Sequence, residues 1–197
     1  MIIINSETGK PTTPTGYKVA PSSYKKLETL SQELLPILPK VPGNPYQIDA
    51  AAVLEFFLPQ AGYKYAITEV DKLKDTVAFT IPERNLIVIR SDVYDALDQN
   101  QPFASSTIVH ELSHIDLEHA KTFCRDAKLG AHKFYEDSEW QAKAYTAALM
   151  MPIEACLKVN SIAELSEMCG TSMQAAEYRL KRLVKDGILK NMPSRLI

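Results

Sequence analysis

The pattern of hydrophobic and polar positions first predicts two helices near the start of the chain. The first is expected from a cap at Ser22 or Ser23 to about Leu35, since leucines recur there at helical spacing. The second is expected over about 48–57 and should end before Pro59, because proline lacks the backbone N–H that continues a helix.

After the second helix the pattern changes to alternation. Apolar and polar residues alternate over 63–67 and over 77–81, which is the period of a β-strand. A turn-like segment at 82–85 leads to a short apolar run at 86–89, so these last two strands are expected to form a hairpin. The sequence therefore predicts a small antiparallel sheet before the next helix.

The order of these segments predicts an α+β fold that is mostly helical. Residues 1–22, rich in Thr, Pro and Ser, are interpreted as an extended N-terminal arm. A catalytic-sized domain is expected over 23–155, with a helix over about 135–151 after a polar loop that holds Gly130.

Residues 156–197 are expected to form a helix-turn-helix-like module. Its two helices, 161–168 and 172–185, are joined by a short segment that contains Gly170. The expected core positions are Ile162, Leu165, Met168, Ala175, Tyr178 and Leu183. Five bases over 172–190 give a locally basic face for weak DNA contact, namely Arg179, Lys181, Arg182, Lys185 and Lys190. The alternative is a solvated face on a module that packs against the catalytic domain.

Composition narrows the class of protein. The chain has 197 residues, is 46% hydrophobic and 23% charged, and carries a formal net charge of -2. These values are typical of a globular protein, and the charge does not favour steering of the whole molecule to nucleic acid. Neither a membrane span nor an export signal is expected, and three unpaired cysteines are typical of reduced thiols, so a cytoplasmic protein is predicted.

The chemistry is concentrated in His110-Glu111-Leu112-Ser113-His114. On an α-helix, residues four apart project from one face, so His110 and His114 can ligate one metal ion. Glu111 lies about 100° round the helix from His110, where it can act as general base on a water molecule. This combination is typical of zinc hydrolases, so Zn²⁺ is the expected cofactor.

A catalytic zinc site usually has three protein ligands, so a third must come from elsewhere. Glu139, at the start of a later helix with few other polar residues, is favoured, with Glu136 and Asp137 as rivals. His119 follows His114 by five residues and is expected to be a solvated or capping residue. His132, in an irregular basic segment, is a candidate hydrogen-bond donor to the transition state.

Two segments resemble the ImmA/IrrE family of metallopeptidases. They are 103–114, F-A-S-S-T-I-V-H-E-L-S-H, and 139–152, E-W-Q-A-K-A-Y-T-A-A-L-M-M-P. The similarity extends over about 46–152. The chain departs from the family at Ser113, often Gly there, at Lys143, often Asn, and at Tyr145-Thr146, often Phe-Ala.

The resemblance implies a zincin-like fold with Glu139 as the third ligand, as in gluzincins. It also implies an edge strand beside the metal that can hold an extended peptide, which here would comprise Asn85, Leu86, Ile87, Val88, Ile89 and Arg90. Known members cleave helix-turn-helix repressors, so such a repressor is the implied substrate.

Three functions remain open from the sequence. The first is a zinc metalloendopeptidase that cleaves a regulatory protein. The second is a DNA-associated regulator in which the metal is structural or sensory and no bond is hydrolysed. The third is metal-dependent hydrolysis of a substrate that is not a peptide. An open cleft beside a sheet edge would favour the first, and a closed metal site would favour the second.

Overall fold

The computed structural model describes residues 16–119 and 132–195, and its mostly helical architecture with one small sheet belongs to the α+β class. Residues 1–15, the loop at Gly130 and Cys124 lie outside the described residues. The helices are α1 (Tyr24–Leu34), α2 (50–60), α3 (Ser91–Leu97), α4 (Pro102–Asp116), α5 (Ser138–Met150), α6 (Ile153–Lys158), α7 (Ile162–Cys169) and α8 (Met173–Lys185). The strands are β1 (Lys64–Thr68), β2 (Ala78–Ile81) and β3 (Leu86–Arg90). Short 3₁₀ helices lie at Leu35–Ile37, Val70–Lys72, Pro82–Arg84 and Phe134–Glu136.

The first two helices form where the sequence predicts them, with one difference at a proline. Ser23 caps α1 by accepting a hydrogen bond from the backbone N–H of Lys26 at 3.2 Å. Helix α2 continues through Pro59 to residue 60, although the sequence predicted that it would end earlier. A π-helical stretch, Val53–Phe57, precedes the proline. Pro59 lies just after this stretch, so the helical hydrogen-bond pattern changes close to the residue that lacks an N–H.

The sheet is mixed, so the prediction of an antiparallel sheet is wrong for one strand. Strand β2 pairs with β3 in antiparallel orientation, which confirms the hairpin, but β1 pairs with β3 in parallel. The strand order β1-β3-β2 places β3 in the centre. Ile87 and Ile89 of β3 are 1% and 0% exposed. An apolar strand such as β3 suits the central position, because neighbouring strands cover both of its edges.

The buried apolar residues form two clusters that meet between Met150 and Met151. The larger cluster joins α1, α2, the sheet, α4 and α5, and the smaller one joins α6, α7 and α8. The change of cluster lies close to the domain boundary predicted at residue 155. That boundary itself remains a prediction, because α8 also contacts α1 through a buried ion pair between Arg179 and Glu28.

Two helices joined by a short turn occur in the C-terminal segment, as predicted, but α8 is rotated relative to the expectation. Tyr178 is exposed, and Arg179 faces inward beside Ala176 and Leu180. Burial of this charge is compensated because the Arg179 guanidinium donates hydrogen bonds to Glu28 and to the carbonyl of Met151. That these two helices form a helix-turn-helix module remains a prediction. Among the helices of the described residues, none is both long and apolar enough to cross a membrane.

Candidate metal centre

Helix α4 presents two imidazoles on one face. It begins at Pro102, whose fixed φ suits the first helical turn, and it packs against α5 and β2. His110 and His114 lie one turn apart, and their Nε2 atoms are 3.1 Å apart. Both side chains are partly exposed, at 23% and 19%, so they face accessible space rather than the closed core.

Helix α5 brings Glu139 to the same point. Asp137 caps this helix by accepting the N–H of Trp140 at 2.8 Å, which places Glu139 in the first turn. Its Oε2 is 3.3 Å from His110 Nε2, and its Oε1 is 3.2 Å from His114 Nε2. The hydrogen bonds from His110 and His114 hold the pKa of the Glu139 carboxyl well below its usual range.

The two rival carboxylates are engaged elsewhere. Glu136 accepts the backbone N–H of Lys133 at 3.1 Å and lies 3.6 Å from the ammonium of Lys18. Asp137, besides capping α5, accepts the backbone N–H of Gly16 at 2.9 Å. Of the three carboxylates that the sequence left open, Glu139 is the one that the fold brings to His110 and His114.

The spacing of these donors fits a tetrahedral metal ion. Two nitrogens bound to zinc at about 2.0–2.1 Å in tetrahedral geometry are about 3.3 Å apart. The two Nε2 atoms are 3.1 Å apart, and Glu139 faces His110 through Oε2 at 3.3 Å and His114 through Oε1 at 3.2 Å. Two imidazoles and a carboxylate are also the donor types that zinc accepts, so these residues fit a zinc ion.

Glu111 lies next to this group but is held by a different contact. Its side chain faces Thr80 of β2, whose Oγ1 donates a hydrogen bond to Glu111 Oε2 at 2.7 Å. Glu111 is only 6% exposed, yet it lines the same cleft as the three donors. A carboxylate fixed beside a metal site by one donor is suited to proton transfer.

His119 does not occupy the solvated position that the sequence predicted. It is 7% exposed, its Nδ1 lies 2.8 Å from His114 Nδ1, and burial lowers its pKa to about 4. Its position follows from Glu118, whose φ of 51° is left-handed and turns the chain back after α4 ends. In a continuous helix residue 119 would lie about 140° round from His114 and could not contact it.

His132 also departs from its predicted role. Its imidazole is fully buried, and Nε2 lies 2.9 Å from Asp137 Oδ2. Asp137 thus joins three segments, since it also binds Gly16 and caps α5. His132 is absent from the described lining of the cleft, so it supports the start of α5 instead of facing a substrate.

The expected peptide-binding edge at residues 85–90 is corrected by the strand order. Asn85 is a left-handed turn residue, with φ of 47°, and β3 is paired on both edges. The strand with an unpaired edge beside α4 is β2, which packs against that helix. Helix and edge line an open cleft of about 1660 Å³ that also contains His110, Glu111 and Glu139.

Two further residues, which the sequence pattern does not predict, contact the residues of this site. Thr80 contacts Glu111, and Gln141 contacts His119 at 3.3 Å. Gln141 follows Glu139 by two positions, so it points into the protein from another face of α5, and it is 4% exposed. A buried Gln on an otherwise apolar helix was the available signal, because buried amides need partners.

Comparison with known proteins agrees with this geometry. No curated protein matches the chain at a significant level. The family model for the IrrE N-terminal-like domain, peptidase family M78, matches residues 72–181, which is more than half of the chain. The matched segment includes β2, the histidine pair, Glu139 and most of α8. The match confirms the resemblance seen in the sequence: the chain belongs to the IrrE N-terminal-like family of M78 peptidases.

Proposed function

We propose that the protein is a zinc metalloendopeptidase in which His110, His114 and Glu139 bind the ion and Glu111 is the general base. The observation that carries the proposal is the convergence of His110, His114 and Glu139, whose ligand atoms, one from each residue, lie within 4.8 Å of one another, beside a buried carboxylate and in an open cleft. An open cleft favours hydrolysis over a purely structural metal, which is usually enclosed by four protein ligands.

The proposed chemistry assigns one role to each residue. Zinc held by this set would act as a Lewis acid and lower the pKa of water to about 7. Thr80 engages Oε2 of Glu111, so the proposal assigns proton transfer to Oε1. Glu111 accepts a proton from the attacking water and returns it to the leaving amine, which is the sequence that amide hydrolysis requires.

The edge of β2 is proposed to hold the substrate. The backbone N–H of Arg90 donates to the carbonyl of Val77 at 2.9 Å, which fixes the alternation of the β2–β3 pair. Ala78 and Thr80 then direct their backbone N–H and carbonyl groups to the unpaired edge. An extended peptide can add there as a further strand, close to Glu111.

The size of the cleft favours a polypeptide over a small molecule. A volume of about 1660 Å³ exceeds that of ordinary small-ligand pockets, which are about 300–1,000 Å³. Aromatic side chains that are 37 to 62% exposed line its wall, namely Tyr17, Phe79, Phe103 and Tyr178. They offer apolar contacts to an extended chain, and this supports a protein substrate. Membership in the IrrE-like family makes a helix-turn-helix repressor the proposed one.

DNA binding by α8 receives less support. Of the bases that the sequence placed on one face, Arg179 is buried against Glu28, and Lys181 pairs with Glu177. Arg182 pairs with Asp186 and lies over the ring of Tyr24. These contacts favour a module that packs against the rest of the chain.

The ligand assignment is tested by metal content. Purified wild type is expected to hold one zinc per chain, and Glu139→Ala is expected to lose it, because two imidazoles alone bind zinc weakly. Glu136→Ala is the matched control, since Glu136 lies on the same segment but faces Lys18. Equal zinc content in Glu139→Ala and wild type would reject Glu139 as a ligand.

The substrate proposal is tested by co-expression with a panel of helix-turn-helix repressors and unrelated control proteins. Wild type is expected to truncate one or more repressors and to spare the controls, whereas Glu111→Gln should spare both. Truncation of controls and repressors alike would contradict a repressor-specific peptidase.

A further inference from the structure

A series of hydrogen bonds, partly or fully buried, leads from the proposed metal site into the protein. His114 Nδ1 lies 2.8 Å from His119 Nδ1, and His119 Nε2 lies 3.3 Å from Gln141 Oε1. Gln141 Nε2 in turn lies 2.8 Å from the carbonyl of Ala20 and 2.9 Å from the carbonyl of Tyr135. His119 and Gln141 are both buried.

The donor and acceptor of each hydrogen bond in this series can be assigned, starting from the end at Ala20 and Tyr135. The carbonyls of Ala20 and Tyr135 only accept, so the atom of Gln141 that faces them is the amide nitrogen, and both of its hydrogens are used. Oε1 of Gln141 therefore faces His119 and accepts a hydrogen bond from His119 Nε2.

His114, at the other end of the series, determines which of the two Nδ1 atoms carries a proton. His114 can bind a metal through Nε2 only if its other nitrogen, Nδ1, carries the hydrogen. Two N–H donors cannot face each other at 2.8 Å, so His119 must accept at Nδ1. The same assignment makes His119 an acceptor on one side and a donor on the other, which is the pattern of a neutral imidazole.

We propose that His119 is a positioning residue for the metal site: it accepts the Nδ1–H of His114 and fixes the ring orientation in which His114 presents Nε2 to the ion. Gln141 holds His119 in the required tautomer. This inference rests on the proposed metal site. Metal-bound histidines usually donate their second N–H to a carboxylate, a carbonyl or water, and here a second imidazole takes that place.

The position of Gln141 connects this role to the third ligand. Gln141 and Glu139 lie in the first two turns of α5. One short segment therefore supplies both the proposed ligand Glu139 and the residue that holds His119 in place. The carbonyl of Ala20 belongs to residues 16–22, which run across the start of α5 through hydrogen bonds such as Val19 N–H to Glu136 O at 2.8 Å. The N-terminal segment thereby contributes to the orientation of His114.

Zinc affinity in two variants tests the proposal. His119→Leu removes the acceptor, and zinc affinity, measured by competition with a chromophoric chelator, is expected to fall about 10- to 100-fold. His119→Asn places Oδ1 near the position of Nδ1 and is expected to restore affinity to within a few-fold of wild type. The absorption bands of the Co²⁺-substituted proteins should follow the same order, because they report the geometry of the ligands.

The outcomes separate this proposal from the previous one. If wild type binds no zinc, the metal site and the role of His119 both fail. If wild type and His119→Leu bind zinc equally and share one Co²⁺ spectrum, only the positioning role fails. Nitrogen-15 NMR of zinc-loaded wild type decides even if the leucine variant does not fold: a proton on His119 Nε2 is expected, and a proton on Nδ1 would overturn the proposal.

Discussion

Among single residues, Glu111 depends on Thr80 for its orientation. The 2.7 Å hydrogen bond joins the proposed base to the strand that is proposed to bind substrate. This one contact therefore fixes the position of Glu111 relative to that strand. A hydrogen bond to a charged group contributes about 1.5–3 kcal/mol. Thr80 is therefore expected to affect the rate of hydrolysis without contacting the metal.

Thr80→Val keeps the shape of the side chain and removes the donor. We expect kcat to fall about 10- to 100-fold, the rate equivalent of the lost hydrogen bond, with zinc content unchanged. Initial rates on a peptide that the wild type cleaves, measured beside the zinc content, check this. Thr80→Ser keeps the hydroxyl and should retain most of the rate. A fully active valine variant would show that Glu111 needs no such support.

The sequence predicted those site residues whose positions depend on local geometry. His110 and His114 share a helix, so their spacing alone places them on one face. The contacts of His119 and Thr80 could not be predicted in this way. One depends on the left-handed turn at Glu118, and the other depends on how β2 packs against α4.

At the level of elements, α4 and α5 are joined by the hydroxyl groups of Ser113, Thr146 and Tyr145. Ser113 Oγ donates to the carbonyl of Val109 at 2.7 Å, so it accepts from Thr146 Oγ1 at 2.9 Å. Tyr145 Oη donates to Asp116 at 2.6 Å, and burial and this carboxylate raise the tyrosine pKa. These hydrogen bonds therefore join α4 and α5 at two points.

A double-mutant cycle tests the coupling between Ser113 and Thr146. Each single change, Ser113→Ala or Thr146→Val, is expected to lower the free energy of unfolding by about 1–3 kcal/mol, because it leaves the other hydroxyl without its partner. The double variant should lose less than the sum, by about 0.5 kcal/mol or more. Urea titrations followed by circular dichroism measure all four proteins. Strictly additive losses would contradict the coupling.

The sheet shows why strands were easier to predict than their order. Alternation predicted β1 and β2, and the short apolar run after the turn at 82–85 predicted β3 and the β2–β3 hairpin. The parallel pairing of β1 with β3 depends on contacts distant in sequence, which periodicity does not report. For that reason the sequence placed the proposed substrate edge on β3, whereas the strand at the sheet edge beside α4 is β2.

Across the whole molecule, Arg179 joins the two apolar clusters. Its guanidinium, 3% exposed as a side chain, bonds Glu28 of α1 and the carbonyl of Met151 at 2.9 Å. Breaking a buried pair leaves the partner charge uncompensated, which costs about 3–5 kcal/mol. Because Glu28 is slightly exposed, the expected cost of breaking this pair lies at the lower end of that range.

Arg179→Ala is accordingly expected to lower the free energy of unfolding by about 3 kcal/mol. Lys181→Ala, two positions along the same helix, is the control: its pair with Glu177 is exposed and should contribute less than about 1 kcal/mol. Chemical denaturation of both variants provides the comparison. Equal stability of the two variants would mean that Arg179 does not link the clusters.

The C-terminal cluster also contains two thiols, Cys156 and Cys169. Burial raises their pKa values to about 11 and about 12, so little thiolate is present near pH 8. Iodoacetamide at that pH is expected to modify both slowly in the folded protein and rapidly in urea, because the thiolate is the reactive form. Peptide mapping by mass spectrometry measures each cysteine separately. Rapid labelling of either residue without denaturant would contradict the buried packing.

Glu111 is proposed to be the base of a metal-dependent peptidase. The most direct measurement incubates zinc-loaded wild type and Glu111→Gln with a proteome-derived peptide library, and mass spectrometry then identifies newly formed peptide termini. With Glu111 as the base, new termini are expected with wild type and at least about 100-fold fewer with Glu111→Gln at equal zinc content, since a general base contributes about 10²–10⁴-fold. The same termini at the same rates from both proteins would contradict it.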